Sequence, residues 1–281
     1  MTATPPLEHL PVETAGTLAR PDGIVLAYED TGGDGPVVVL THGFTLTLRS
    51  WDPTVAPLVE AGYRVVTWDV RGHGWTAGPD DPAPYTLDAV IGDLAALIDH
   101  VTDRPVVLGG LSFGGMLAMA AWADPSFRRR VRALVLADTG PGFRNAEARD
   151  AWNRTAHEQA DALATRGAAT FLEGDLGPTQ PGAEAHLGLE RHRSLRSLEL
   201  AMRGFLTQHD ARMMDTLDTI DVPTLIVVGE DDTPFLRACD VMAGKIAGSQ
   251  LVRIPAAGHL ANLDNPAAFD AALGGFLRGM A

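Results

Sequence analysis

The segment Val106–Gly115 has the sequence V-V-L-G-G-L-S-F-G-G, an apolar run that leads directly into G-L-S-F-G at positions 110–114. A helix-forming stretch begins at Met116. This order predicts a buried strand, a sharp turn and a helix, with Ser112 at the turn. The flanking glycines carry no Cβ atom, so the strand and the helix can approach closely. The pattern therefore predicts a serine hydroxyl that is exposed above the end of a sheet.

Along the chain, short apolar segments alternate with helical patterns. The predicted strands are Ile24–Glu29, Val37–Leu40, Arg64–Trp68, Val106–Leu108, Ala133–Ala137, Thr224–Val228 and Leu251–Ile254. The predicted helices are Leu87–Val101 with Thr86 as N-cap, Phe113–Trp122, Phe235–Met242 and Pro266–Leu277. Apolar strands separated by helices predict an α/β fold with a mostly parallel central sheet and helices on both faces. Ligands of such sheets bind at the carboxyl ends of the strands.

One long stretch, residues 141–218, lacks any convincing strand pattern. It contains helical patterns at Ala146–Thr165, Ala168–Gly174 and Arg193–Met214. We therefore expect an α/β core formed by residues 1–140 and 219–281, with 141–218 as an inserted helical cap. Apolar cap residues either line a pocket above the sheet or pack the cap itself; they are Trp152, Phe171, Leu172, Met202, Phe205, Leu206, Met213 and Met214.

Composition excludes several classes of protein. The 281 residues carry 36 acidic and 22 basic side chains, a net charge of −14 that disfavours nucleic acid and anionic membranes as partners. The longest nearly apolar run, Met116–Ala123, is too short to span a bilayer, and the amino end lacks the pattern of a secretory signal. We therefore expect a soluble, cytoplasmic protein. Cys239 is the single cysteine, so no internal disulfide forms, and we expect a buried structural thiol.

Cofactor and metal motifs are absent from the sequence. The histidines are scattered, and neither an H-E-x-x-H motif nor a cysteine-rich spacing occurs. The glycine-rich run at 109–115 lacks the G-x-G-x-x-G spacing of a dinucleotide site. We expect a protein that uses neither a cofactor nor a metal ion.

Four motifs together resemble the α/β-hydrolase superfamily over nearly the full length of the chain. They are H-G-F at 42–44, D-V-R-G-H-G at 69–74, G-L-S-F-G at 110–114, and G-E-D-D at 229–232 with G-H at 258–259, and each follows a predicted strand. The resemblance implies a catalytic triad in the chain order serine, acid, histidine. The serine at position 112 argues against relatives that use aspartate there, such as dehalogenases and epoxide hydrolases.

In this scheme the nucleophile is Ser112, which needs a neighbouring base because a serine hydroxyl is a weak nucleophile at neutral pH. His259, in the loop after the last predicted strand, is the candidate base. His42 and His73 are the alternatives, but their counterparts in the resembling family usually support loop structure.

The base in turn needs a carboxylate that orients the imidazole and stabilises its charged form. The resemblance, aligned on Gly229, selects Asp232, and it implies that Glu230 and Asp231 are solvated loop charges. Asp138 is the alternative acid, since some relatives carry the acid after the strand Ala133–Ala137.

The resemblance also implies an oxyanion hole made of two backbone N–H groups, those of Phe113 and Phe44. Both donors belong to the main chain, so the identity of the side chains is not diagnostic. Phe44 is alternatively an aromatic wall of the pocket.

The runs G-L-S-F-G-G-M at 110–116 and A-D-T-G-P-G-F at 137–143 are similar to those of 3-oxoadipate enol-lactonases and small carboxylesterases. We therefore expect hydrolysis of a small-molecule ester or lactone through an acyl-enzyme on Ser112. Arg144, Arg191 and Arg203 of the predicted cap are available for a substrate carboxylate. Two alternatives stay open: a carbon-carbon bond hydrolase of ring-cleavage products, whose members share S-F-G-G, and a ligand receptor built on the same fold.

Overall fold

The computed structural model describes residues 15–167 and 186–280, and within these ranges the chain forms an eight-stranded sheet covered by helices. The strands are β1 (Ala15–Ala19), β2 (Val25–Asp30), β3 (Val37–Thr41), β4 (Arg64–Trp68), β5 (Val106–Leu111), β6 (Val131–Ala137), β7 (Thr224–Gly229) and β8 (Gln250–Ile254). The helices are α1 (Asp52–Glu60), α2 (Leu87–Val101), α3 (Phe113–Trp122), α4 (Ala146–Arg166), α5 (Leu195–Gly204), α6 (Arg212–Thr216), α7 (Thr233–Lys245), α8 (Ala261–Asp264) and α9 (Pro266–Arg278).

The sheet has the strand order β1-β2-β4-β3-β5-β6-β7-β8. Strands β3 to β8 run parallel to one another, whereas β2 pairs antiparallel with both β1 and β4. Thr41 pairs with Gly110, and Leu111 with Ala137, so that β3, β5 and β6 end side by side. The predicted α/β class with a mostly parallel sheet is confirmed.

Both faces of the sheet are buried, because the side chains of each strand alternate between two apolar layers. In β3, Val39 belongs to the layer that packs under α2, α3 and α7, whereas Val38 and Leu40 belong to the layer under α1 and α9. Cys239 is buried in the first layer, and burial raises the pKa of its thiol to about 12. This cysteine is a packing residue at neutral pH, as expected.

Several elements differ from the sequence expectations. The edge strand β1 and the helix α1 were not predicted, and most of the other strands extend one to three residues beyond the predicted bounds. The prediction of one helix over Arg193–Met214 is wrong, because α5 ends at Gly204 and α6 begins at Arg212. A Cβ atom on Gly204 would overlap the main-chain carbonyl oxygen of Tyr85, so only glycine allows the end of α5 to lie this close to the loop before α2.

Between β6 and β7 the described residues contain helices and no strand. The indole N–H of Trp152 on α4 donates to the Leu206 carbonyl at 2.8 Å, and the Asn153 side chain bonds both the N–H and the carbonyl of Gln208. These contacts tie α4 to the loop after α5. The boundaries of the predicted cap stay a prediction, and the predicted helix Ala168–Gly174, with Phe171 and Leu172, lies outside the described residues. No helix within residues 15–167 and 186–280 combines the length and apolarity needed to cross a membrane.

A buried ion pair fixes the loop after β4 against α2. Arg71 donates through Nε and Nη2 to the two carboxylate oxygens of Asp93 at 2.6 and 2.8 Å, and Arg20 adds a third bond at 2.9 Å. Asp93 is fully buried. Removing one partner of such a pair leaves a buried charge without compensation.

We predict that Asp93→Ala lowers the free energy of unfolding by about 3–5 kcal/mol, because Arg71 then loses both bonds to a fully buried carboxylate and keeps only its pair with the partly exposed Asp22. Asp99 is the control on the same helix: its side chain is 55% exposed in a 2.5 Å pair with Arg130, and Asp99→Ala should cost about 1 kcal/mol or less. Urea unfolding followed by circular dichroism measures both values. Equal losses in the two variants would contradict the prediction.

Candidate active site

The site begins at the turn between β5 and α3. Ser112 lies there with φ 52° and ψ −112°, a left-handed conformation that a serine rarely adopts. Its N–H donates to the Ala137 carbonyl at 2.8 Å, and its carbonyl accepts a 2.6 Å bond from the Thr139 hydroxyl. Because such a backbone is unfavourable, it persists only where the surrounding structure enforces it. Here the neighbouring strand β6 and the loop behind it supply those contacts.

Glycines permit the backbone packing around this turn. A Cβ atom on Gly110 would overlap the main chain of Gly114, and a Cβ atom on Gly114 would overlap the Thr41 carbonyl. The start of α3 therefore lies directly against the ends of β5 and β3. This confirms the predicted strand, turn and helix.

Ser112, His259 and Asp232 form one continuous chain of hydrogen bonds. His259 Nε2 lies 2.9 Å from Ser112 Oγ, and His259 Nδ1 lies 3.0 Å from Asp232 Oδ2. A hydrogen on Nδ1, directed at the Asp232 carboxylate, leaves the lone pair of Nε2 for the serine O–H. Both Asp232 and His259 are buried. The structure thus brings together the three residues that the sequence singled out.

Two adjacent loops carry the acid and the base. Asp232 lies at the start of α7, three residues after the end of β7, and His259 follows β8. The loops bond each other: the N–H of Asp231 donates to the Ala257 carbonyl at 2.9 Å, and the N–H of Glu230 donates to the Ile254 carbonyl at 2.9 Å. The pairing of β7 with β8 therefore continues into the site.

Asp138, the alternative acid, bonds neither to His259 nor to Ser112 among the contacts of residues 15–167 and 186–280. Its Oδ1 accepts from the N–H of Gly229 at 2.8 Å and its Oδ2 accepts from the N–H of Ala261 at 3.0 Å. Burial raises the pKa of this carboxyl well above its usual range. One buried side chain thus connects the loop of the acid to the loop of the base.

His42 and His73, the alternative bases, lie in the loops after β3 and β4. His42 accepts from the N–H of Val70 at 3.0 Å through Nε2 and contacts the Gly43 carbonyl at 2.7 Å through Nδ1. Burial lowers the pKa of His42 to about 4 and the pKa of His73 well below its usual range. Both rings are fully buried and neutral at neutral pH, and His42 joins the two loops.

The loop after β3 passes directly beside the serine. A Cβ atom on Gly43 would lie 3.5 Å from the Ser112 Cβ. The ring of Phe44 meets the ring of Phe113 edge to face, with 5.7 Å between centroids. Within the described part of the chain, neither the N–H of Phe44 nor that of Phe113 donates to a protein acceptor. The predicted pair of backbone donors is therefore unpaired and lies in the two segments next to the hydroxyl.

Backbone strain is concentrated at this edge of the sheet. Four residues other than glycine have a positive φ among residues 15–167 and 186–280, namely Thr45, Ser112, Asp138 and Ala256. They follow β3, β5, β6 and β8, respectively. Such conformations cluster at functional sites, so the positions of these four residues independently indicate a functional site at the carboxyl ends of the strands.

Among the described residues between β6 and β7, the side chains that the sequence singled out are mostly engaged in packing or ion pairs. Met202, Phe205, Leu206 and Met213 are buried, and Trp152 and Met214 are partly buried against the same layer. Arg144 pairs with Asp215, and Arg203 pairs with Asp161 and Glu199, whereas the Arg191 guanidinium lies 5.5 Å from the Trp75 ring centre. No group of three or more His, Cys, Asp or Glu residues in the described part of the chain is arranged to hold a metal ion.

The chain belongs to the alpha/beta hydrolase family, whose model matches residues 38–272. It is 27% identical to the putative 2-succinyl-6-hydroxy-2,4-cyclohexadiene-1-carboxylate synthase of Bacillus subtilis, over 91% of this chain and 96% of the relative. It is 26% identical to 3-oxoadipate enol-lactonase 2 of Acinetobacter baylyi, over 92% and 94% of the two chains. The solved structure of a thermophilic esterase from Thermogutta terrifontis, with malate bound, matches with a TM-score of 0.77 at 29% identity, over 95% and 97% of the chains.

These comparisons confirm the predicted superfamily and the likeness to an enol-lactonase. The names of the three relatives state different reactions: a synthase, a lactonase and an esterase. Membership of the family is therefore shown, while the reaction of this chain has to be argued from its own site.

We predict that Gly114→Ala lowers the free energy of unfolding by about 2–3 kcal/mol, because the added methyl group has no room beside the Thr41 carbonyl. Gly244→Ala is the matched control. Gly244 lies in α7, where a Cβ atom would meet no heavy atom within 4 Å, and alanine there should raise stability by up to about 1 kcal/mol. Thermal and urea unfolding compare the variants, and a Gly114→Ala protein as stable as the parent would refute the packing argument.

Proposed function

We propose that this protein hydrolyses a carboxylic ester or lactone of a small molecule through an acyl-enzyme on Ser112. The observation that carries the proposal is the unbroken hydrogen-bond chain from Ser112 Oγ through His259 to Asp232. The lactonase and esterase relatives support the same reaction class. This assignment uses the geometry of the site, because the fold alone supports many chemistries.

In the first step, Ser112 Oγ attacks the carbonyl carbon of the substrate while His259 Nε2 takes the hydroxyl proton. The 2.9 Å distance lets this transfer occur without rearrangement of either side chain. Asp232 stays ionised, holds the Nδ1 hydrogen and stabilises the imidazolium that forms. The buried position of the carboxylate strengthens this interaction relative to water.

The tetrahedral intermediate places a negative charge on the former carbonyl oxygen. The backbone N–H groups of Phe113 and Phe44 are the donors that we assign to this oxygen, since both lack a protein acceptor in the described part of the chain. Removing one such donor typically costs about 3–4 kcal/mol of transition-state stabilisation. The Phe113 donor also benefits from its position in the first turn of α3, where the helix dipole favours negative charge.

Collapse of the intermediate breaks the bond to the leaving alkoxide, which takes the proton from His259 Nε2. For a lactone the alkoxide remains attached to the acyl group, since both belong to one ring. A water molecule then loses a proton to His259, attacks the acyl-enzyme and releases the acid and Ser112. Every proton transfer in this cycle uses the same imidazole nitrogen.

We predict that Ser112→Ala abolishes turnover of p-nitrophenyl acetate and labelling by a fluorophosphonate, because both need the serine oxygen. The melting temperature should stay within about 2 °C of the parent, since the change removes one oxygen atom from a side chain that is not in the core. Ser249→Ala is the control, because Ser249 lies just before β8, at the amino ends of the parallel strands, whereas Ser112 lies at their carboxyl ends.

Three outcomes would argue against the proposal. Ester turnover that persists in Ser112→Ala would move the nucleophile to another residue. A parent protein that cleaves vinylogous diketones but no ester or lactone would establish the carbon-carbon hydrolase. A protein that binds a ligand saturably yet hydrolyses no member of an ester and lactone panel faster than buffer would be a receptor.

We predict that Asp232→Asn lowers kcat by about 10³- to 10⁴-fold, because an amide cannot hold the imidazole in the required tautomer. Asp138→Asn should affect stability more than turnover: one of its two backbone bonds is lost, at a cost of about 1–3 kcal/mol. Steady-state kinetics and urea unfolding separate the two effects. The opposite ranking, with Asp138→Asn inactive and Asp232→Asn active, would make Asp138 the acid.

A further inference from the structure

One aromatic ring covers a face of the His259 imidazole. The Phe235 ring is stacked on it, with 4.6 Å between the ring centroids and 27° between the planes. Phe235 is half-buried, whereas the His259 side chain is almost fully buried. The phenyl ring therefore covers one face of a nearly buried imidazole.

The same helical turn supplies both the acid and this ring. Asp232 begins α7, and its main-chain carbonyl accepts from the N–H of Phe235 at 2.9 Å and from the N–H of Leu236 at 3.2 Å. The Asp232 carboxylate contacts the edge of the imidazole at Nδ1, while Phe235, three residues later, contacts its face. Residues one helical turn apart thus contact the imidazole of His259 at its edge, through the Asp232 carboxylate, and at its face, through the Phe235 ring.

The position of Phe235 is itself restrained. A Cβ atom on Gly140, in the loop after β6, would lie 3.8 Å from the Phe235 ring and 2.9 Å from the Ala238 Cβ. The main chain of that loop therefore packs closely against α7. The phenyl ring thus stacks on the imidazole and lies close to the main chain of Gly140.

We propose that Phe235 is a positioning residue for the hydrolysis argued above, which holds the plane of His259 and stabilises its imidazolium form. The proposal rests on the proposed function. The face of a phenyl ring carries negative charge in its quadrupole, so a cation stacked on it is attracted electrostatically. Because the reaction forms the imidazolium when His259 takes the serine proton, this attraction acts more strongly in the transition state than on the neutral imidazole that precedes it.

The other titratable groups around His259 are left unchanged in the Phe235 variants. They are Asp232 from α7, Asp138 from the end of β6 and Asp264 from α8, whose carboxylate accepts from the N–H of Gly258 at 2.8 Å. Phe235→Leu keeps an apolar side chain at the position and removes the aromatic face, whereas Phe235→Tyr keeps the face. The two variants therefore isolate the effect of the ring.

The experiment measures p-nitrophenyl acetate hydrolysis between pH 4 and 9 for the parent and both variants. We expect Phe235→Leu to lower kcat by roughly 5- to 30-fold with KM nearly unchanged, which is the range of a cation–aromatic contact. The acid limb of its kcat/KM profile should move to lower pH, because the imidazolium loses a stabilising partner. Phe235→Tyr should retain most of the activity and the profile of the parent.

A purely structural role predicts a different pattern. Leu236→Ala, one residue further along α7, is the control for packing, and it should lower the melting temperature without moving the pH profile. If Phe235→Leu behaves like Leu236→Ala, the proposal is overturned.

A second measurement does not depend on turnover. Proton NMR follows the titration of the His259 ring, assigned by the signal that is lost in His259→Gln, and we expect a lower midpoint in Phe235→Leu than in the parent. Equal midpoints would refute the role of Phe235. A lowered midpoint in a protein that hydrolyses no ester would leave Phe235 as the partner of the imidazolium and would refute the proposed function alone.

Discussion

The site depends on the close contact of main chains at the end of β5. Gly110, Gly114 and the Thr41 carbonyl leave no space for a side-chain carbon, so α3 starts directly on top of the sheet. Ser112 is consequently held with φ 52°, outside the conformations that a serine prefers. The direction in which its side chain leaves the backbone is therefore set by backbone packing. Hydrogen bonds alone would not maintain that geometry, because each contributes only about 1 kcal/mol net.

The positions of Asp232 and His259 depend on a second constraint, the buried carboxylate of Asp138. It accepts one backbone hydrogen bond from each of the two loops that carry Asp232 and His259. Those loops also bond each other through the N–H of Asp231 and the Ala257 carbonyl. A residue that the sequence offered as a rival acid thus has a structural role at the same edge, and its two bonds keep Asp232 in register with the imidazole.

Local signals made much of this arrangement predictable. Ser112, Asp232 and His259 each follow an apolar run, and parallel strands bring their carboxyl ends to one edge. The choice of Asp232 over Asp138 came from the resemblance to the α/β-hydrolase superfamily, aligned on Gly229. The strand β1 was missed because A-G-T-L-A is a short edge strand with little apolar character. The helix α1 was missed because its nine residues include two prolines, one of them, Pro57, inside the helix.

Other features depend on contacts between distant parts of the chain and leave no local signal. The close contact of Gly204 with the Tyr85 main chain joins residues far apart in sequence, and the bonds of Asp138 join residues about 90 and 120 positions away. The stacking of Phe235 on His259 needs the exact tilt of α7 against β8, which no periodicity encodes.

The left-handed residues Thr45, Asp138 and Ala256 also bear on how such a molecule can be redesigned for heat resistance. Exchange for glycine would relieve an unfavourable backbone angle at each of these positions, yet it would also widen the conformational choice of loops that hold catalytic groups. Engineering for durability is therefore better directed to the amino ends of the strands and to the outer helices, where added rigidity does not compete with the chemistry. In this fold the strained residues that such redesign would target lie at the same end of the sheet as the candidate active site.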